Sequence, residues 1–166
     1  MADEVVRSDV EGYEQITEAL KTLINQFPGL ATGETFKFST LDDSDDKAIF
    51  PTSGAIITSE RESITGHMFQ ICQYPFNVIY RASGLKQRYK INVKEWLDSL
   101  GRWLEKQKIT INNTEYVLTD YPKLSGTRKI RMISRQSPSY LMAVNEDKSE
   151  DWMMSMQIVY WNEYDK

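Results

Sequence analysis

At 166 residues, 40% hydrophobic and 27% charged, the chain has the size and composition of one globular unit able to bury a core, which excludes wholesale disorder. A net charge of −4 argues against a surface built for phosphate backbones, and so against generic nucleic-acid binding, although a total leaves room for a local basic patch such as Lys86 to Lys90. Cys72 is the only cysteine, which excludes an intramolecular disulfide and a thiolate metal cluster.

In chain order, Met1-Ala2-Asp3-Glu4 lacks the charged-then-apolar order of a signal peptide, and no later apolar run approaches the ~20 residues that span a bilayer. Neither a membrane span nor export by that route is expected. Ser8-Asp9-Val10-Glu11 has the form of a capping box. Tyr13, Ile16, Leu20, Leu23, Ile24 and Phe27 then recur at helical spacing until Pro28-Gly29, predicting a helix over 9–27. Residues 28–53 hold glycines, Pro51 and the acidic run Asp42-Asp43-Ser44-Asp45-Asp46, with one short alternating piece at Phe36-Lys37-Phe38. They read mostly as exposed loop, and residues 1–8 and 39–48 are expected to be flexible. From Ala55 to Arg81 the residues turn β-branched and aromatic, predicting two strands with a turn near Ser63 to Gly66. Pro75 implies an edge position or a bulge in the second, because proline cannot donate to a ladder.

Asn92 can cap a second helix over 92–106, with Val93, Trp96, Leu97, Leu100, Trp103 and Leu104 as its buried stripe. Gly101 inside it points to close approach by another backbone. A small hairpin follows at 109–118, turning at Asn112-Asn113, and strands are expected at 129–135, 140–144 and 152–161. The order predicts one α+β domain over 1–166, a mainly antiparallel sheet packed by two helices on one face. In the last strand Trp152, Met154, Met156, Ile158 and Tyr160 alternate with Met153, Ser155, Gln157, Val159 and Trp161, so both faces carry apolar groups. The second face is therefore expected to be covered, by the chain itself or by a partner.

No catalytic, cofactor or metal residue is assigned. His67 is the only histidine, so a multi-imidazole metal site cannot form in one subunit, and no nucleophile elbow accompanies it. Cys72 in an apolar strand reads as a small buried hydrophobe. The acidic run fails as a calcium loop: counted from Asp43, Ala48 stands where glycine is needed and Gly54 where glutamate is needed. No phosphate-loop spacing occurs. Trp161 and Tyr164, large rings near the chain end, suit an interface.

Tyr80-Arg81-Ala82-Ser83-Gly84-Leu85 and Trp96-Leu97-Asp98-Ser99-Leu100-Gly101-Arg102-Trp103-Leu104-Glu105 resemble a family of bacteriophage minor capsid proteins. Tyr116-Val117-Leu118-Thr119-Asp120-Tyr121-Pro122, Arg135-Gln136-Ser137-Pro138 and the stretch from Glu150-Asp151-Trp152 to Tyr160 resemble its remaining landmarks, so the likeness covers about residues 70 to 162. The order of elements is also similar to the tail-terminator proteins of long-tailed phages. That resemblance implies a non-catalytic subunit that caps the tail tube as a homo-oligomeric ring, a hexamer by family likeness. It further implies the tail tube protein and a head-completion connector as partners, DNA only passing through the channel, no membrane, and a place at the head-proximal end of the virion tail after assembly in the host cytoplasm. Head-to-tail rings need two different adhesive surfaces per subunit. Pro75, Trp161 and Tyr164 are the candidate interface residues, and Asp42, Asp43, Asp45 and Asp46 the candidate channel or rim loop, where carboxylates would repel passing DNA. Two other readings stay open: a small transferase-like enzyme with His67 as base, and a monomeric module holding a peptide or small ligand in an apolar groove.

Overall fold

A computed structural model describes residues 6–42, 45–83 and 87–166, with side chains from 92 onward in the last stretch. Along the chain run β1 (Arg7–Ser8), α1 (Val10–Ile24), β2 (Lys37–Phe38), β3 (Asp46–Pro51), β4 (Ile56–Glu62), β5 (His67–Ala82), α2 (Gln87–Leu104), β6 (Ile109–Ile111), β7 (Thr114–Tyr116), β8 (Arg128–Arg135), β9 (Tyr140–Val144) and β10 (Glu150–Asp165). The chain is α+β, with a mostly antiparallel sheet and two helices among the described residues. Neither helix is long and apolar enough to cross a membrane.

β5 and β10 form the spine. They pair antiparallel over their whole length, from Glu150 opposite Ala82 to Asp165 opposite His67. Each long strand carries two shorter ones in tandem on its outer side: β3 and then β4 on β5, β8 and β9 on β10. β1 extends β4, and β2 pairs parallel with β3.

This arrangement corrects the expectation for Pro75. It lies mid-strand in β5, opposite Gln157 of β10, and is half-buried rather than at a sheet edge. β3 ends opposite Phe76 and β4 begins opposite Gln73, so Pro75 falls in the gap between them. There its carbonyl accepts the Thr52 N–H at 3.2 Å. A strand's N–H and C=O at one residue point the same way, so the donor that proline lacks is missing where no ladder partner exists.

Most of the described part of 28–53 is irregular, as expected, and β2 and β3 are the exceptions. Asp46–Pro51 is a strand with its first four residues buried. Lys47 is 7% exposed, paired with Glu34 and lying 4.4 Å from the Tyr80 ring centroid and 5.3 Å from that of Trp96. A carboxylate and two ring faces compensate the buried ammonium, a tertiary arrangement that no local pattern announces.

α1 is capped one residue later than the Ser8 box suggests. Asp9 accepts the Gly12 N–H at 3.1 Å, and its carboxylate also meets Arg128, which a serine hydroxyl could not neutralise. α2 starts at Gln87, earlier than the expected 92, so Asn92 is a helix-interior residue rather than a cap; the propensity cost of about 0.7 kcal/mol or less is easily overridden. A Cβ at Gly101 would sit 2.5 Å from Arg135 Cδ and 3.0 Å from Met154 Sδ. The close approach is real but comes from side chains, not from a backbone. At the 109–116 hairpin both turn residues are left-handed, with φ 49° at Asn112 and 65° at Asn113, as a type I′ turn requires.

Both helices pack on one face. Tyr13 stacks on Tyr74 at 5.6 Å, Trp96 meets Tyr80 edge-on at 5.2 Å, and Phe27 bridges the helices by touching Trp96 and Trp103. Tyr74, Phe76 and Val78 of β5 join Met154, Met156, Ile158 and Tyr160 of β10 beneath them, all buried. Each such side chain contributes roughly 1.5–3 kcal/mol relative to exposure. On the other face no helix lies among the described residues. Its centre is polar, with Gln73, Asn77, Ser155 and Gln157, and Ser155 donates to Asn77 at 2.9 Å. Apolar groups flank that centre, Ile79 and Met153 toward one end, and at the other Phe69, Ile71, Val159 and Trp161, which are half-buried, with Met132 exposed.

Candidate functional site

β10 carries β8 along its C-terminal half and β9 along its N-terminal half, and both present their far sides outward. On β8 the outward N–H of Ile133 donates to the Tyr121 hydroxyl at 3.3 Å, and that of Arg135 to Glu105 Oε2 at 3.1 Å. Tyr121 in turn donates to the Leu104 carbonyl at 2.7 Å. Side chains therefore occupy two positions where another strand would bond, and the C-terminal half of β8 is closed to addition.

β9 has no such device. Tyr140, Leu141, Met142, Ala143 and Val144 are apolar in succession, and the four larger ones are between 40% and 62% exposed. No charge, proline or covering segment blocks its outer backbone groups among the described residues. An exposed apolar edge with free donors and acceptors is a template for a strand of another chain. The sequence shows Tyr140–Val144 as a strand, and its uninterrupted apolar run was the signal available; that it lies at an edge depends on β8 stopping short beside it.

The expected interface residues are not brought together. Trp161 lies on the helix-free face, with Phe69 packed edge-on at 5.1 Å and the Arg131 guanidinium 4.1 Å from its ring centroid. Pro75 shares that face but pairs four positions away along β10, about 14 Å at strand rise. Tyr164 has the opposite parity and lies on the other face, opposite Met68.

The described acids of the run, Asp42, Asp45 and Asp46, are tied back onto the sheet. Asp42 pairs with Lys37 and its carbonyl accepts from Arg81 at 3.0 Å; Asp45 accepts the Ser83 N–H at 2.6 Å. Asp46 departs from the solvated loop expected for it: at 9% exposure it opens β3, pairs with Lys37 at 2.9 Å and accepts the Asp42 N–H at 2.7 Å. Burial raises its pKa, but these donors outweigh that and hold the carboxyl below its ordinary value. Asp43 lies outside the described residues.

His67 is half-buried, with Nδ1 2.9 Å from Asp165 and Nε2 3.4 Å from Glu163. The two carboxylates raise its pKa, Asp165 more than Glu163. Burial pushes the Cys72 thiol up to about 11, the character of an inert core group. Among the described residues no cluster of three or more His, Cys, Asp and Glu side chains is placed to hold a metal ion. No protein-family model matches the chain, and no curated protein matches it.

Proposed function

We propose that the chain is a structural subunit of phage morphogenesis, a tail terminator or head–tail joining component that caps the tail tube as a homo-oligomeric ring. The observation that carries this reading is the contrast between two neighbouring edges, β8 capped at Ile133 and Arg135 by Tyr121 and Glu105, and β9 apolar and uncapped among the described residues. A monomer that needed no neighbour would gain from blocking both. The likeness of residues 70–162 to phage minor capsid proteins supplies the biological setting, with the tail tube protein and the head connector as further partners. In that setting Asp42 and Asp45 stand on the rim or channel side, where they repel DNA in transit. Unaltered DNA passage after Asp42→Asn and Asp45→Asn would remove that assignment.

Light scattering and native mass measurement across concentration, followed by electron microscopy for closed rings, test the assembly. Wild-type protein is expected to self-associate, and Met142→Lys with Val144→Lys to remain monomeric with an unchanged melting temperature. Phage particles lacking the protein that still carried joined tails of uniform length would overturn the reading.

A further inference from the structure

Beside β8 lies a groove of about 840 Å³, lined by Asp120 to Leu124, by Gly126 to Arg131, and by Lys106, Trp161 and Glu163. We infer that this groove binds an acidic, extended peptide segment of a partner protein. The inference does not rest on the phage reading and concerns a surface separate from the β9 edge.

Charge is the first argument. Lys106, Lys123, Lys129 and Arg131 line the groove and are exposed, and none of the four makes an ion pair among the described residues. A fifth cation, Arg128, is already neutralised by Asp9 at 2.6 Å. Asp120 and Glu163 are the acids in the lining, and Glu163 faces His67. In a chain whose total is −4, four cations without an ion pair among the described residues outnumber the two acids of the lining and give the concavity a local field of the opposite sign.

Shape and ring geometry choose among anions. The groove is concave and of a size that holds a peptide segment or small ligand rather than a duplex. Single-stranded nucleic acid is held largely by bases stacking on aromatic faces. Here the rings are already engaged: Arg131 lies over Trp161 at 4.1 Å and Lys106 over Tyr121 at 4.3 Å. Those same cations, ordered by the rings, keep their N–H groups for carboxylates, and a stacked guanidinium can take a carboxylate in two parallel bonds. Strand addition cannot run the length of β8, because Tyr121 and Glu105 occupy the N–H groups of Ile133 and Arg135 beyond the groove. Side-chain charge is therefore the means of recognition.

The test uses a fluorescein-labelled octapeptide alternating Asp or Glu with Ser, followed by anisotropy at low and moderate salt, with oligothymidylate of equal charge as comparator. The peptide is expected to bind with an affinity that falls as salt rises, and Lys129→Glu with Arg131→Glu to weaken it about tenfold or more. Lys21→Glu with Lys108→Glu, which changes net charge equally but lies outside the groove, is expected to leave binding within about twofold. If the reversed pair fails to melt cooperatively, Lys129→Gln with Arg131→Gln serves instead, with a smaller loss expected. Absence of peptide binding at low salt, equal losses in the two pairs, or tighter binding of oligothymidylate each overturns the inference. None of these outcomes bears on ring formation.

Discussion

Asp9 ties α1, β8 and β10 together through one carboxylate. It caps α1 through Gly12, takes Arg128 through two oxygens at 2.6 and 2.9 Å, and accepts the Tyr160 hydroxyl at 2.7 Å. Burial raises its pKa, but Arg128, Tyr160 and the Gly12 N–H together outweigh that and hold it below the ordinary value. Removing it leaves a buried guanidinium unpaired, so Asp9→Ala is expected to cost about 3–5 kcal/mol in urea unfolding. Gly12→Ala separates propensity from packing. Alanine would gain about 1 kcal/mol in helix propensity, yet its Cβ would fall 1.9 Å from Asp9 Oδ2 and 2.7 Å from the Tyr160 oxygen. A net loss of stability is expected, and a gain would refute the packing just described. For His67 the raised pKa means that its contribution to stability is complete below the unfolded value of 6.5 and fades as pH rises through the folded value. Its NMR titration midpoint should lie above 6.5 and drop in Asp165→Asn.

At the scale of elements, the closure of β8 is testable apart from any partner. Tyr121→Phe keeps the ring under Lys106 but removes the acceptor of the Ile133 N–H and the donor to Leu104. A loss of about 1–3 kcal/mol is expected, with faster hydrogen exchange at the Ile133 amide; unchanged exchange would show that the edge is closed by something else. The elements that announce themselves most clearly in the sequence are those set by local chemistry. The 109–116 hairpin follows from two asparagines tolerating positive φ, and α1 from a stripe of Ile16, Leu20, Leu23 and Ile24 ended near Pro28. β3 was invisible because its core-facing character comes from tertiary partners of Asp46 and Lys47, two residues that locally look solvated.

For the whole molecule, four ion-paired carboxylates set the response to acid, together with Asp147, which Ser149 holds low by hydrogen bonds. Asp151, held chiefly by Arg81, and Asp9, Glu34 and Asp46, where burial is outweighed by donors, all sit below their ordinary values. Near pH 4 the unfolded chain then binds more protons than the folded one, so stability falls as pH drops toward and through the folded values and is fully present above the ordinary carboxylate range. Urea midpoints measured from pH 7 down to pH 3 should show that decline; a flat profile would mean that these pairs are not formed in solution.

Hydrophobic periodicity alone determined that the chain holds two amphipathic helices, a set of paired strands and an antiparallel α+β architecture, since these depend on side-chain spacing within short windows. Tertiary structure decided the rest. Strand partners are far apart in the chain, so that β3 and β4 share one side of β5, that Pro75 falls between them, and that β9 is uncapped among the described residues while β8 is capped at Ile133 and Arg135 were not legible from any local stretch. The basic groove has the same origin: its lysines and arginine come from three separated segments, and only the fold gathers their charges into one concavity.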